Sequence, residues 1–96
     1  MSTVVDIGSL ITSTDDVRGG RPRIAGTGVT VQRVVRWYRL GLTPEDIADR
    51  IGHLSLAQVH AALSYYHANQ PQIDAEIAAD DQETERASAR SNGTTP

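Results

Sequence analysis

GLTPEDIADRIGHLSLAQV, residues 41–59, carries two helix starts in succession, and its reading decides the fold. Thr43 reads as an N-cap with Pro44 at the first helical position, and Glu45 and Asp46 sit on the positive end of the helix dipole. Ile47, Ala48 and Ile51 make a short buried side, and Gly52 stops the helix. Ser55-Leu56-Ala57-Gln58 then opens the next helix with a capping box. Leu56, Val59, Leu63 and Tyr66 make its inner face, and Ala62 allows close approach. Two helices joined by the short link Gly52 to Ser55 have helix-turn-helix proportions.

Upstream, a helix is expected from an N-cap at Thr30 to Leu40, ended by Gly41. Its apolar face is Val31, Val34, Val35 and Tyr38, continuing to Leu42, with Arg33, Arg36 and Arg39 off that face. Leu10-Ile11-Thr12 and Arg23-Ile24-Ala25 are short β-prone runs. They flank the turn-rich stretch Ser13 to Pro22, which holds Asp15-Asp16 and Gly19-Gly20. Gly26-Thr27-Gly28 bends the chain into the helical region, and Met1 to Ser9 reads as a loose lead-in.

Downstream, Pro71 ends the third helix or restarts a new one. Ile73 to Arg90 reads as a fourth helix docked by Ile73 and Ile77, fraying from about Asp80 into the polar end Ser91 to Pro96. The expected fold is therefore mainly α: short N-terminal strands, a three-helix helix-turn-helix core, and a C-terminal helix or tail. The expected divisions are a flexible lead-in over 1–9, the domain over 10–72 and an acidic helix fraying into a disordered tail over 73–96.

The chain has 96 residues, room for one small domain. No cysteine means no disulfide, no thiolate metal site and no Cys nucleophile. There is no Lys, and no Ser stands in a nucleophile-elbow pattern, so no catalytic residue is assigned. His53, His60 and His67 are spaced by seven. On one helix His60 and His67 stand about 10 Å apart along the axis, too far to share a metal. They read as packing or surface histidines. Gly26-Thr27-Gly28 is not a phosphate loop: the dinucleotide fingerprint wants a glycine where Val31 stands, and no Gly-Lys-Ser/Thr follows. No cofactor, metal or small-molecule substrate is expected. No apolar run suits a membrane span and no signal peptide is read, so the expected location is the cytoplasm.

The charge is uneven. Residues 17–44 contain Arg18, Arg21, Arg23, Arg33, Arg36 and Arg39 and no acid, whereas residues 73–96 set Arg86 and Arg90 against Asp74, Glu76, Asp80, Asp81, Glu83 and Glu85. A basic segment followed by an acidic one suits a domain that meets an anionic surface and carries an appendage; solvated helix faces are the bland alternative. If the anion is DNA, Arg33, Arg36, Arg39 and Arg50 would hold phosphates. The third helix is expected to expose Gln58, Ala61, Ser64 and Tyr65, and of these Gln58, Ser64 and Tyr65 would reach bases. That helix carries no Arg, so base reading would be modest. A core this small without Phe gains stability by association, so a homodimer is expected, with Trp37 and the N-terminal strand at its contact.

From Ile11 to about Asn69 the sequence resembles the bacterial family catalogued as domain of unknown function 433. The matching residues are Ile11-Thr12, the run Gly20-Arg21-Pro22-Arg23-Ile24-Ala25-Gly26-Thr27, and Val29-Thr30-Val31. Gly41-Leu42-Thr43-Pro44-Glu45-Asp46-Ile47, His53-Leu54-Ser55-Leu56 and Val59-His60-Ala61-Ala62-Leu63-Ser64-Tyr65-Tyr66 continue the match in order. The family usually has Arg after Gly-Thr, where this chain has Gly28. Any contact made by that arginine is weakened here or has moved to Arg21 or Arg23. The resemblance implies a homeodomain-like fold and, as in many similar proteins, an antitoxin role beside a PIN-type ribonuclease toxin. On that reading the chain is a non-enzymatic dimer that binds its promoter, and Arg86 and Arg90 on the C-terminal segment meet the toxin. A protein-interaction module that never touches DNA is the alternative, and for the C-terminal segment a disordered solubilising tail.

Overall fold

A computed structural model describes residues 6–15 and 18–93. Among these, two short strands, β1 (Ile11–Thr12) and β2 (Arg23–Ile24), precede four helices. These are α1 (Val31–Arg39), α2 (Pro44–Ile51), α3 (Leu56–Ala68) and α4 (Gln70–Gly93). The strands pair antiparallel, with Ile11 opposite Ile24 and Thr12 opposite Arg23. The chain is mainly helical, with the strands at its N-terminal side, as the sequence implies.

The bend after β2 closes on itself. Gly26 takes a φ of +78°, and the Thr27 hydroxyl donates to the Ile24 carbonyl at 2.9 Å while accepting from the Val29 N–H at 3.0 Å. The Ile24 N–H donates to the Val29 carbonyl and the Val31 N–H to the Pro22 carbonyl, both at 2.9 Å. The entry to α1 is thereby held against the sheet, and the Thr30 hydroxyl caps it by accepting from the Arg33 N–H at 3.2 Å. Capping boxes open α2 (Thr43 with Asp46) and α3 (Ser55 with Gln58). Leu54 and Val59, flanking the α3 cap, are both buried.

Ile24, Val31, Val34, Val35, Ile47, Val59 and Ile73 have no solvent exposure and form one core with Leu63, Tyr66 and Ile77. α1 lies along α3, and α2 and α4 pack against this pair. The helix phase differs from expectation at three places. Trp37, not Tyr38, packs against the core, since α2 lies on the Trp37 side and Arg50 covers its ring at 5.5 Å. Tyr38 is exposed. Leu56 is exposed because it borders an open hollow beside α2, lined also by Glu45, Ala48, Asp49, Gly52 and Leu54. Ala61 is buried rather than exposed.

Two terminal expectations also change. The described end of the lead-in is ordered into a 3₁₀ turn, Ile7–Leu10, capped by the Asp6 carboxylate, which accepts from the Gly8 N–H at 3.0 Å. This turn packs on α3; residues 1–5 lie outside the described residues. At the other end, Asn69 leaves the helical region (φ −131°, ψ 38°) and breaks the rod, and Pro71 falls in the first turn of α4, where its missing N–H removes no helical bond. α4 then continues through Asp80 to Gly93 instead of fraying at Asp80, because Asp80 and Asp81 find partners in the body and the sequence beyond is rich in helix formers. Thr94, Thr95 and Pro96 lie outside the described residues.

Ile73 anchors α4 from a fully buried position. Ile73→Ala is expected to lower stability by about 2–4 kcal/mol. Chemical denaturation with a shift in midpoint at unchanged slope will register this; an unchanged midpoint would mean that α4 is not docked.

Candidate nucleic-acid interface

α1 is the cationic helix, and two of its arginines are occupied. Gln32, Arg36 and Arg39 follow one another at helical spacing along a single stripe, and α4 lies against that stripe. Arg36 donates from Nη2 to Asp81 Oδ1 at 3.0 Å. Arg39 pairs with Asp74 and donates to the Tyr66 hydroxyl at 3.1 Å, and that hydroxyl in turn donates to Asp74 at 2.9 Å. The Arg39 guanidinium also lies 5.9 Å from the centre of the Tyr66 ring.

Arg21, from the loop before β2, completes the row. Its two terminal nitrogens grip Asp80, Nη2 reaching Oδ1 at 2.7 Å and Nη1 pairing with Oδ2. The Gln32 amide donates to the same Oδ2 at 3.0 Å. Gln32 is the one buried polar side chain among the described residues, and this contact satisfies it. The fork of Arg21, followed by the Gln32 amide, holds the Asp80 carboxyl far below the usual carboxylate range. In return the Asp80 carboxylate raises the Arg21 guanidinium further above its ordinary value.

The remaining phosphate candidates lie apart. Arg33 is exposed and makes no ion pair among the described residues. Arg50 sits on α2 over Trp37. The structure therefore brings Arg36 and Arg39 together with Arg21 and Gln32, and leaves Arg33 and Arg50 at the margins. Arg23 reaches Thr14 at 3.4 Å through Nη2, while its Nε and Nη1 are buried without a hydrogen-bond partner.

The base-reading candidates are constrained. The Gln58 carbonyl oxygen accepts from the Ser55 N–H at 2.7 Å, and the Ser55 hydroxyl accepts from the Gln58 N–H at 3.1 Å, so this side chain serves the α3 cap. Ser64 and Tyr65 line an apolar groove of about 330 Å³ walled by Ile7, Gly8 and Ile11 of the N-terminal turn and strand. The Tyr65 hydroxyl donates to Gln72 at 3.4 Å. Of the partner-binding candidates, Trp37 is half-buried and Arg86 is exposed, with Glu83 of the preceding turn 3.4 Å away. The side chain of Arg90 lies outside the described residues.

The cations of α1 are legible in the sequence, and their covering by α4 is not. The stripe Gln32–Arg36–Arg39 and the acids of 74–81 are both visible in the sequence. Their meeting depends on the direction α4 takes after Asn69, which local spacing does not encode.

Two measurements probe this geometry. A carboxyl whose folded value is depressed stabilises the fold above its unfolded pKa, about 4, and that gain is lost as pH falls through the folded value. The stability difference between the protein and Asp80→Asn is therefore expected to be constant from about pH 5 to 8 and to shrink below about pH 4; urea titrations across that range will show it. Gln58→Ala is expected to cost about 1 kcal/mol through the lost cap. A melting point unchanged by that substitution would free Gln58 for recognition.

None of the curated proteins compared matches this chain. A DUF433 member protein from Anabaena variabilis ATCC 29413, known from its crystal structure, is 33% identical, covers 73% of this chain over 69% of its own, and superposes with a TM-score of 0.69. The sequence profile described as protein of unknown function (DUF433) matches residues 11–66, which hold β1, β2, α1, α2 and nearly all of α3. The chain belongs to the DUF433 family.

Proposed function

We propose that the chain is the antitoxin of a toxin–antitoxin pair: a cytoplasmic homodimer whose helical body meets promoter DNA and whose α4 engages a PIN-type ribonuclease. The observation that carries this reading is the division of α4. Its first two turns are tied to the body by Ile73 and Ile77, whereas every side chain from Asp81 to Ala89 is exposed. A helix with no buried face is not made for its own fold, and it suits an arm that lies on another protein. Arg86, on that arm, presents a fork suited to a carboxylate cluster of the kind a metal-dependent nuclease carries. No helix among the described residues is long and apolar enough to cross a membrane.

For DNA, the support is the arginine-rich α1 beside a capped α2–α3 pair. Contacts by Arg33, Arg36, Arg39 and Arg50 to phosphates would dominate, since α3 carries no cation and Gln58 is held in its cap. The same cap, with Arg36 and Arg39 paired to acids, favours the second reading, a protein adaptor that does not bind DNA.

Upstream duplex and random duplex, titrated across a salt series with and without the product of the neighbouring gene, separate the two. The antitoxin reading expects salt-dependent binding, with Arg33→Ala weakening both duplexes alike and lowering the salt slope by about one. Absence of binding in every combination leaves the adaptor. Light scattering at tens of micromolar is expected to return a dimer mass, and a monomer mass would remove the homodimer from the proposal.

A further inference from the structure

Among the described residues beyond Ile77, no apolar side chain of α4 is buried against the body. Ala78 and Ala79 are exposed, and the contacts that follow are polar: Asp80 to Arg21 and Gln32, and Asp81 to Arg36. Further along, α4 stands off from α1 across an open groove of about 550 Å³ lined by Gln32, Arg36, Asp80, Glu83, Thr84 and Ala87. The Asp74–Arg39 pair is different, because Asp74 lies between the two buried isoleucines and moves only if they do.

We propose that α4 from Asp80 onward is a displaceable strap, whose carboxylates occupy on Arg21, Gln32 and Arg36 the places that DNA phosphates take when the strap lifts. This rests on the DNA-binding reading and adds its control. A guanidinium fork that grips a carboxylate end-on offers the same two parallel donors to a phosphate, and the Gln32 amide adds a third donor. The strap is held weakly. Its ion pairs are a third to a half exposed, and such pairs break at little cost and are screened by salt. The segment from Asp80 to Gly93 continues the helix of the docked first turns, so it can lift with its helical bonds kept. A protein that takes hold of the exposed arm draws Asp80 and Asp81 away and bares Arg21 and Arg36. Partner binding and DNA binding then favour one another, without any contact between partner and DNA.

The test uses the full chain. Asp80→Asn/Asp81→Asn weakens the strap. Glu45→Gln/Asp49→Asn changes net charge equally at exposed sites on α2, off the strap and away from Arg21 and Arg36. Each is first shown by its melting curve to be folded, then titrated with fluorescent random-sequence duplex across a salt series, and run on a heparin column as a second polyanion. The strap variant is expected to bind duplex about tenfold more tightly than the original, with a salt slope steeper by about two, whereas the charge control gains less and keeps its slope. Equal behaviour of the two variants on both polyanions overturns the strap. Later elution of the strap variant alone from heparin, with no form binding duplex, upholds the strap and overturns the DNA reading.

Discussion

Asp80 meets Arg21 and Gln32 only because Ile73 and Ile77 have first entered the core and fixed the line of α4 across α1. The apolar anchors supply the free energy and the ion pairs supply the register. Exposed pairs alone contribute too little to hold a helix in place, whereas two buried isoleucines contribute several kcal/mol. The direction is set by Asn69, whose backbone leaves the helical region and whose amide donates to the Tyr65 carbonyl at 3.1 Å. A straight α3–α4 rod would carry the acids of α4 away from the arginines of α1.

That arrangement recasts the charge distribution. In the chain as a string, a basic stretch precedes an acidic one; in the folded molecule the two neutralise each other along one seam. Gln32 shows how closely the seam is built. A buried amide inside α1 is costly unless bonded, and its donor is spent on Asp80, a residue distant in sequence. The seam is therefore a polar part of the tertiary structure. In the proposed function it is also where the body's affinity for anions is set.

α3 follows a different economy. Gln58 and Ser55 satisfy each other's backbone groups, and the buried Leu54 and Val59 on either side fix the entry of the helix. Its outward residues Ser64 and Tyr65 face the N-terminal turn. The helix-turn-helix proportions are thus combined with an α3 whose polar groups serve the fold, and this places the weight of any DNA contact on α1.

Wherever the determinant was local, the sequence by itself determined the element. Thr30, Thr43 and Ser55 start helices because their oxygens accept from the orphan N–H groups of the first turn, and Ile11 and Ile24 lie in β-prone runs whose pairing the tertiary structure decides. The family resemblance, carried by the same residues, was legible for the same reason. Packing decided what spacing left ambiguous. Trp37 displaced Tyr38 from the core because of where α2 lies, and Leu56 stayed outside because it borders an open hollow beside α2. Gln58 read as an exposed donor although the capping box that engages it was equally visible. Only the tertiary structure could show that the acidic end folds back: Arg21 and Asp80 are 59 positions apart, and no helical or strand period relates residues that meet through the placement of a whole helix.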